Sequence, residues 1–259
     1  MNINAYLNRL LYAGPVDTSL ITLRKLHYHH LLTIPLENLS IHYGEAIILE
    51  PDALFTKIVQ HKRGGFCYEL NGLFYELLRA IGFQVRRISG RVYDPEKGFN
   101  AEFDHLAIIA HVDGIDWLVD VGFGRRFPFY PMPLRLNLIQ SDASGRYLLK
   151  EYDANYFAIN QRDSTGEWIP AYLFTRTARE LSDFASMCHF HQTSADSYFT
   201  QNKLCTIALT HGRVTLTDSA LKITSNNQLI NKAVRDKPEF EHLLYQYFGI
   251  QMAQPDVLV

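Results

Sequence analysis

The sequence predicts an α+β protein in which helices come first and an antiparallel sheet follows. Three observations support this prediction: helical spacing of apolar residues over positions 1–82, alternation with a period of two from Phe83 to about residue 175, and a mixture of both patterns from 176 onward. Short alternating runs separated by turn residues are typical of an antiparallel sheet or barrel. We therefore expect three parts, at 1–82, 83–175 and 176–259.

Composition and charge limit the class of protein. At 259 residues the chain is long enough for one large domain or for two or three small ones with real cores. A formal net charge of −2 argues against a nucleic-acid-binding surface, which needs an excess of basic residues. No apolar run approaches a membrane span, and the N-terminus lacks the pattern of a secretory signal. Three scattered cysteines (Cys67, Cys188 and Cys205) favour free thiols in a reducing compartment, so we expect a cytoplasmic protein.

Four helices are predicted in the first part, because apolar residues recur there every three or four positions. Gly14 and Pro15 end the first helix, and Asp17, Thr18 or Ser19 caps the second. A proline opens the third, and Gly82 is well placed to end the fourth. The stretch 34–49 is expected to be extended and irregular. The predicted helices cover about residues 6–11, 19–32, 51–59 and 67–81.

Alternating residues predict the strands that follow. The link at 112–114 carries the Asp-Gly signal of a tight hairpin, so the strands on either side of it should pair. A helix is expected at 177–190, with Thr175 or Thr177 as its cap, and a last one at 238–247. The predicted strands cover residues 84–93, 103–110, 115–121, 147–152, 156–161, 168–174, 204–209, 213–217 and 220–224.

Cys67 stands where a nucleophilic cysteine would be built. Gly64 and Gly65 let the backbone turn sharply just before it, and the fourth helix starts at or beside it. Unpaired backbone N–H groups and the positive end of the helix dipole favour a thiolate there, and Arg63 adds positive charge nearby. A free cysteine is more often a small buried apolar residue, so position alone leaves both interpretations open.

His105 and Asp120 supply the partners that a cysteine nucleophile needs. His105 lies near the start of one predicted strand and Asp120 at the end of the next, so the hairpin can place them on one face beside Cys67. Asp120 would then fix the tautomer of His105, and His105 would take the Cys67 proton. Taken singly, His105 is one of eleven histidines and Asp120 is a strand-end carboxylate suited to a turn. The combination of Cys67, His105 and Asp120 predicts nucleophilic catalysis by the cysteine.

Several motifs in a fixed order resemble the arylamine N-acetyltransferases. They are RGGFCYELN at 63–71, the strand histidine at 105 and DVGFG at 120–124, with YLNRL at 6–10 and IPLEN at 34–38 near the N-terminus. The resemblance covers about residues 5 to 125 and is weak beyond. It implies a multidomain α+β fold with a cysteine-protease- or transglutaminase-like core. In this fold a helical bundle carries the nucleophile, a central antiparallel β-barrel carries the histidine and aspartate, and an α/β lid follows. The chain is a little short at its C-terminus for this family, so a trimmed lid is expected.

The same resemblance implies an acetyl-CoA-dependent N-acetyltransferase with a ping-pong mechanism. The Cys67 thiolate would take the acetyl group from acetyl-CoA, and an arylamine, arylhydrazine or N-hydroxyarylamine would then accept it. Exchange between two thioesters is nearly balanced in energy, which suits cysteine better than serine. Acetyl-CoA is thus expected as a co-substrate, with no permanently bound cofactor and no metal. Small molecules are the expected partners, without nucleic acid or membrane.

Further site residues are implied by the resemblance. Phe123 and Gly124 are expected to line the substrate channel, as an aromatic wall for the acceptor and as bare backbone beside the pantetheine arm. Phe66 and Tyr68 are further candidates for that wall. The Ser/Thr-rich segment 192–200 resembles the family's segment near the CoA phosphates, although Asp196 places a negative charge within it. The hydroxyl-bearing candidates in that segment are Thr193, Ser194 and Ser197.

Two supporting residues flank the nucleophile. Asn71 lies four residues after Cys67, on the same helix face, and is expected to bond Asp120 or hold the turn. A polar residue within the helix is the alternative. Arg63 is expected to brace the turn through its five donors.

Other functions fit parts of the pattern. A cysteine hydrolase, or a transglutaminase-like acyl transferase with another acyl donor, uses the same Cys–His–Asp logic, although protease signatures differ from Arg-Gly-Gly-Phe-Cys. A non-catalytic binding module is disfavoured because all three residues are intact. The Cys-His-Phe-His run at 188–191 and the histidines at 27, 29 and 30 lack the additional ligands of a metal site. The Gly-Phe-Gly run at 122–124 lacks a nucleotide-binding fingerprint.

Overall fold

The first part of the chain is helical, as predicted. The computed structural model describes residues 1–124, 127–226 and 228–252. Ser19 caps the second helix, because its Oγ accepts the Thr22 N–H at 3.2 Å. Gly82 ends the fifth with a left-handed φ of 112°. The helices are α1 (Ile3–Arg9), α2 (Leu20–Thr33), α3 (Leu39–His42), α4 (Pro51–Phe55), which continues as a π-helical turn (Thr56–Gln60), and α5 (Cys67–Ile81).

The middle part is an antiparallel sheet that curls into a nearly closed barrel. Its two edges approach each other where Asp142 Oδ2 accepts the Phe129 N–H at 2.7 Å and Gln140 Nε2 donates to the Tyr130 carbonyl at 3.2 Å. The strand order is β6-β5-β4-β2-β10-β9-β8-β7, and β3 also pairs with β2. After β1 (Leu36–Glu37), these strands are β2 (Gln84–Asp94), β3 (Gly98–Phe99), β4 (His105–Val112), β5 (Ile115–Val119), β6 (Met132–Pro133), β7 (Ile139–Asp142), β8 (Gly145–Glu151), β9 (Phe157–Arg162) and β10 (Trp168–Phe174).

The predicted Asp-Gly hairpin joins β4 to β5. Asp113 and Gly114 have φ values of 51° and 75°, both in the left-handed region that a two-residue hairpin turn requires. The register pairs Ile108 with Val119, so His105 at the start of β4 and Asp120 just after β5 come to the same end of the hairpin.

The last part combines a second antiparallel sheet with helices. The sheet order is β1-β11-β12-β13-β14, so β1 from the helical part forms one edge. The sequence did not predict β14, all of whose residues are exposed. The elements are α6 (Ala185–Thr193) behind a 3₁₀ turn (Leu181–Phe184), α7 (Tyr198–Gln201), β11 (Leu204–Leu209), β12 (Gly212–Thr217), β13 (Ala220–Ser225), β14 (Gln228–Ala233) and α8 (Lys237–Phe248).

The helix expected at 177–190 begins later than predicted. The Arg179 N–H donates to the Arg87 carbonyl at 2.9 Å in an isolated antiparallel bridge. This bond holds the chain extended beside β2. The α-helix therefore starts only at Ala185, and neither threonine caps it.

The helix that carries Cys67 lies between the helical part and the barrel. Leu70, Leu73 and Leu77 of α5 are fully buried in a core that also holds side chains of α1, α2, β4 and β5. Burial of each such leucine stabilises the fold by roughly 1.5–3 kcal/mol, so the position of α5 is well fixed. Leu181, Phe184 and Cys188 belong to the same core. The division at 82/83 and 175/176 stays a prediction. None of the described helices is long and apolar enough to cross a membrane.

We expect the buried His30 of α2 to make the folded protein less stable in acid. It is fully buried, neither ring nitrogen has a hydrogen-bond partner among the described residues, and burial together with the His27 and Arg9 charges lowers its pKa well below the ordinary value. The unfolded chain therefore binds a proton below about pH 6.5 that the folded chain does not. The free energy of unfolding should therefore decrease as the pH is lowered below about 6.5, by up to about 1.4 kcal/mol per pH unit for this residue.

Denaturant unfolding between pH 7 and pH 5 tests this expectation. His30→Leu should show a shallower loss of stability in acid than the wild type. Phe74→Leu is the control, because its ring packs 5.1 Å from that of His30 without titrating. It should lower stability by a similar amount at every pH. An unchanged slope in His30→Leu would contradict the expectation.

Candidate active site

The backbone before Cys67 turns where side chains have no room. Leu36 of β1 forms a parallel bridge with Gly65, and a Cβ at Gly64 would lie 2.0 Å from the Pro35 carbonyl oxygen. Only glycine fits such a close approach. The chain then enters α5 at Cys67, whose side chain is 5% exposed.

Glu69 and Lys57 secure the first turn of α5. Glu69 Oε2 accepts the Phe66 N–H at 3.1 Å, which satisfies one free donor at the helix start. Glu69 Oε1 lies 2.7 Å from Lys57 Nζ, which compensates the buried carboxylate. Burial still leaves the pKa of Glu69 raised.

His105 and Asp120 form a buried pair beside the thiol. His105 Nε2 lies 2.7 Å from Asp120 Oδ2, with the two side chains 2% and 0% exposed. The Cys67 side chain lies close enough to the His105 ring to raise its pKa, and a Cβ at Gly122, two residues after Asp120, would lie 3.2 Å from Cys67 Cβ. Because the carboxylate accepts at Nε2, this nitrogen carries a proton, and Nδ1 is the atom available to Cys67. The structure thus brings the three predicted residues together.

The electrostatics of this pair favour a charged imidazole. Burial alone would lower the pKa of His105, but the charge and hydrogen bond of Asp120, together with the contact to Cys67, raise it to about 10. Burial would raise the pKa of Asp120, but the same imidazole and further hydrogen bonds hold it below its usual value. A charged imidazole next to a thiol stabilises the thiolate, which is the reactive form of cysteine.

Four donors hold the Asp120 carboxylate. Besides His105, the Tyr172 hydroxyl donates to Oδ2 at 3.0 Å, while Asn71 Nδ2 and the Gly122 N–H donate to Oδ1 at 2.8 and 2.9 Å. Asn71 also accepts the Val121 N–H at 2.9 Å. It therefore makes both contacts that the sequence suggested, the one to Asp120 and the one that holds the turn.

Tyr172 and His27 are site residues that the sequence did not single out for these contacts. The Tyr172 ring lies 4.9 Å from the rings of His105 and Phe123. His27 Nε2 lies 3.0 Å from the Asp120 carbonyl oxygen, and Nδ1 lies 2.9 Å from that of Phe129. The alternating pattern of β10 marks Tyr172 as one of several inward residues, but nothing in it indicates the carboxylate partner.

We expect a large effect from a small substitution at Gly122. A Cβ there would lie 2.7 Å from the Cys67 Cα and 2.8 Å from Asn71 Nδ2. Gly122→Ala should therefore displace the Asp120 turn from α5, lowering kcat/KM by about tenfold or more and stability by about 1–3 kcal/mol. Steady-state kinetics and denaturant unfolding measure the two effects.

Gly72, which lies in α5, offers a matched control. A Cβ at Gly72 meets the end of the Leu181 side chain at 3.3 Å, where a small rotation gives room, and alanine favours the helix. Gly72→Ala should leave kcat/KM near the wild-type value. Equal losses in both variants would contradict the steric account.

Arg63 braces the chain before the nucleophile. Its Nε and Nη2 lie 3.1 and 3.0 Å from Glu37 Oε1, and Nη1 lies 3.1 Å from Glu45 Oε2. Burial would raise the pKa of Glu37, but the Lys57 and Arg63 charges and the Leu39 N–H lower it. The geometry agrees with the predicted bracing role, which stays a prediction.

A cleft of about 800 Å³ opens between the barrel and the second sheet. Phe123 and Gly124 line it, as expected from the resemblance. Phe66 and Tyr68 are both fully buried and are absent from the described lining, because the Phe66 ring packs 5.0 Å from that of Tyr68 and 5.5 Å from that of Phe199.

The second sheet supplies a polar wall that the sequence did not predict. Along its strands, hydroxyl or basic side chains occupy every second position. The register sets Thr206 opposite Thr215 and Thr215 opposite Lys222. This period of two was the signal that could have indicated a polar face. The polar side chains of this wall are Thr206, Arg213, Thr215, Thr217, Lys222 and Thr224.

The hydroxyl side chains of the Ser/Thr-rich segment make hydrogen bonds within the protein. Ser197 is buried, and its Oγ lies 3.0 Å from His191 Nδ1. Thr193 Oγ1 donates to the His189 carbonyl at 2.9 Å, while Ser194 Oγ accepts the Asp196 N–H at 3.2 Å. Of this segment, the described cleft lining includes Tyr198. The role of the three hydroxyls at the CoA phosphates stays a prediction.

Comparison with known proteins agrees with the fold. An N-acetyltransferase family model matches residues 19–257. An arylamine N-acetyltransferase of Gallus gallus, a pineal gland isozyme, is 31% identical over 97% of this chain and 95% of its own length. The solved structure of the Salmonella typhimurium arylamine N-acetyltransferase has a TM-score of 0.89 at 30% identity, covering 96% of this chain and 90% of that one.

A further solved structure is that of the Mycobacterium marinum arylamine N-acetyltransferase in complex with CoA. It has a TM-score of 0.88 at 29% identity, over 96% of this chain and 93% of that one. These likenesses confirm the predicted multidomain α+β fold of helical bundle, β-barrel and α/β lid. By sequence over nearly its whole length, by fold and by family match, the chain belongs to the arylamine N-acetyltransferases.

Proposed function

We propose that Cys67 carries an acetyl group from acetyl-CoA to an arylamine, arylhydrazine or N-hydroxyarylamine in a ping-pong reaction. The observation that carries this proposal is the buried pair of His105 and Asp120, 2.7 Å apart, beside a Cys67 side chain that raises the pKa of His105. Phe123 packs 4.9 Å from the His105 ring and also lines the cleft, so the cleft leads to this pair.

The first half-reaction moves the acetyl group onto the enzyme. The Cys67 thiolate attacks the thioester carbonyl carbon, a new carbon–sulfur bond forms, and the bond to the CoA sulfur breaks. The His105 imidazolium gives its Nδ1 proton to the leaving thiolate, so free CoA departs as a thiol. Asp120 holds the ring throughout and stabilises its charged form.

The second half-reaction releases the product. The acceptor nitrogen attacks the acetyl carbon, and the bond to Cys67 Sγ breaks as the carbon–nitrogen bond forms. Neutral His105 takes the proton that the nitrogen loses, which restores the starting pair. The half-buried Phe123 ring gives an aromatic acceptor a surface to pack against.

The cleft offers a place for the CoA moiety. Arg213 and Lys222 supply positive charge, and the threonines of the second sheet supply hydroxyl donors for phosphate oxygens. Gly124, with a φ of 73° and no side chain, leaves room beside the barrel wall for a narrow chain. The solved M. marinum relative binds CoA, which supports this donor. We place the reaction in the cytoplasm, where the free Cys67 thiol stays reduced.

Initial-rate kinetics test the proposal. Acetyl-CoA is varied at several fixed concentrations of 4-methoxyaniline. A ping-pong enzyme then gives parallel double-reciprocal lines, because CoA leaves before the amine binds. Intersecting lines would show a ternary complex and overturn the mechanism. Release of CoA and acetate without N-acetyl product would favour the alternative, a hydrolase with the same three residues.

A further inference from the structure

The turn before His105 holds a backbone conformation that its sequence does not favour. Phe103, two residues before His105, has a φ of +66°. A bulky aromatic residue adopts this left-handed region only where the surrounding structure forces it. Such positions concentrate at functional sites, so the groups that hold this turn are informative.

Tyr68 and Ser89 hold three successive peptide units of this turn. The Tyr68 hydroxyl donates to the carbonyl oxygens of Phe103 at 2.8 Å and Asp104 at 3.1 Å. The Phe103 N–H donates to Ser89 Oγ at 2.7 Å. Tyr68 is fully buried and directly follows Cys67 in α5, so its hydroxyl links the nucleophile's helix to the residues that precede His105.

A second His–Asp pair holds the same turn from the other side. His191 Nε2 of α6 lies 3.1 Å from Asp104 Oδ1, and Asn100 Nδ2 donates to Asp104 Oδ2 at 3.0 Å. Ser197 Oγ lies 3.0 Å from the other ring nitrogen of His191. His191 and Asp104 are each less than a tenth exposed, so the pair is shielded from solvent. It joins the last part of the chain to the residue next to His105.

We propose that Tyr68 and the Asp104–His191 pair are positioning residues that hold the 101–104 turn and thereby set the distance from His105 to Cys67. The inference rests on the proposed function, since it concerns the base of that reaction. Because Tyr68 and Cys67 are neighbours on a rigid helix, any movement of the nucleophile carries the hydroxyl with it. The turn, and with it the start of β4, follows. Without the hydroxyl, the strained turn can relax and His105 can drift from the thiol.

Tyr68→Phe tests the proposal, because it removes the hydroxyl and keeps the ring. Thioester formation from acetyl-CoA should slow by about ten- to hundredfold, with a smaller change in KM, as expected for a misplaced base. The alkaline limb of the pH–rate profile should move to lower pH, because contact with Cys67 is one of the causes that raise the pKa of His105. A role in stability alone would lower the melting temperature without moving this limb.

Tyr12→Phe is the matched control. Its hydroxyl also donates to a backbone carbonyl, that of Pro15 at 2.7 Å, and its side chain is 6% exposed. This variant should keep the wild-type rate and pH profile. If Tyr68→Phe behaves like Tyr12→Phe in both measurements, the positioning role is overturned.

Asp104→Asn provides a second test, which also serves if Tyr68→Phe does not fold. This substitution weakens the contact to His191 and should slow thioester formation, as Tyr68→Phe does. In the double variant it should add little to the Tyr68→Phe defect, because both residues hold the same turn. Fully additive effects would contradict a shared role. Absence of a thioester in the wild type would instead overturn the proposed function, and NMR titration of the His105 ring would still compare the variants.

Discussion

Asp120→Asn is expected to slow thioester formation by about 10³- to 10⁴-fold, comparable to the loss from the equivalent change in a Ser–His–Asp triad. The amide removes the negative charge that favours the His105 imidazolium and can present an N–H to Nε2, which fixes the wrong tautomer. CoA release in a stopped-flow experiment with a thiol reagent measures the rate. The pKa of His105, held at about 10 mainly by Asp120 against the effect of burial, should fall.

The sign of the pH effect follows from that pKa. His105 keeps its proton up to about pH 10 in the wild type, so activity that needs the imidazolium should persist into the alkaline range and decline as pH rises through that value. In Asp120→Asn the decline should begin at lower pH. A bell-shaped rate profile with an unchanged alkaline limb would contradict the role of Asp120.

Asp116→Asn is the control for this substitution. Asp116 lies on β5 and also contacts a histidine, since its Oδ1 lies 2.8 Å from His111 Nδ1. This pair is partly exposed at the other end of the hairpin, so the variant should keep a rate within about twofold of the wild type. A similar loss in both variants would indicate a general effect of removing carboxylates.

Arg63→Met is expected to lower the free energy of unfolding by about 3–5 kcal/mol. It removes the guanidinium from Glu37, whose carboxylate is buried and would lose its closest positive charge. Denaturant unfolding at neutral pH measures the change. Glu37→Gln in the same chain should recover part of the loss, because no buried charge is then left without a partner.

A surface ion pair provides the comparison. Arg86 and Asp116 are paired on partly exposed side chains, 31% and 22%. Arg86→Met should cost at most about 1 kcal/mol. If Arg63→Met costs no more than Arg86→Met, the buried network does not stabilise the turn before Cys67 as we infer.

Local signals in the sequence were sufficient for most elements and for the placement of His105 beside Asp120. The Asp113-Gly114 turn fixes the hairpin, and the hairpin places His105 beside Asp120. Gly64 and Gly82 mark the approach to α5 and its end. Each of these predictions depends on turn chemistry within a few residues.

The residues that the sequence missed depend on contacts between distant segments. Tyr172 reaches Asp120 because β10 pairs with β2, and a register shift between Pro170 and Tyr172 sets which residues of β10 face inward. No local pattern specifies that register. Likewise, β14 is paired on β13 with every side chain exposed, so it lacks the alternation by which strands are recognised.

The Ser/Thr-rich segment and the threonines of the cleft also depend on contacts between distant segments. A Ser/Thr-rich segment predicts hydroxyl donors, but Ser197 is turned inward to His191. The threonines of the cleft come from three different strands, and only the pairing of those strands brings them onto one face. Composition gives the residue types, whereas tertiary pairing decides which of them meet.

Intact-mass spectrometry after mixing the protein with acetyl-CoA and no acceptor tests the central claim most directly. The wild type should gain one acetyl group and release CoA, whereas Cys67→Ala should gain none. Addition of an arylamine should then remove the acetyl group and yield the N-acetyl product. A wild type that neither gains mass nor releases CoA, or an adduct that persists in Cys67→Ala, would contradict the assignment of Cys67 as the acetyl carrier.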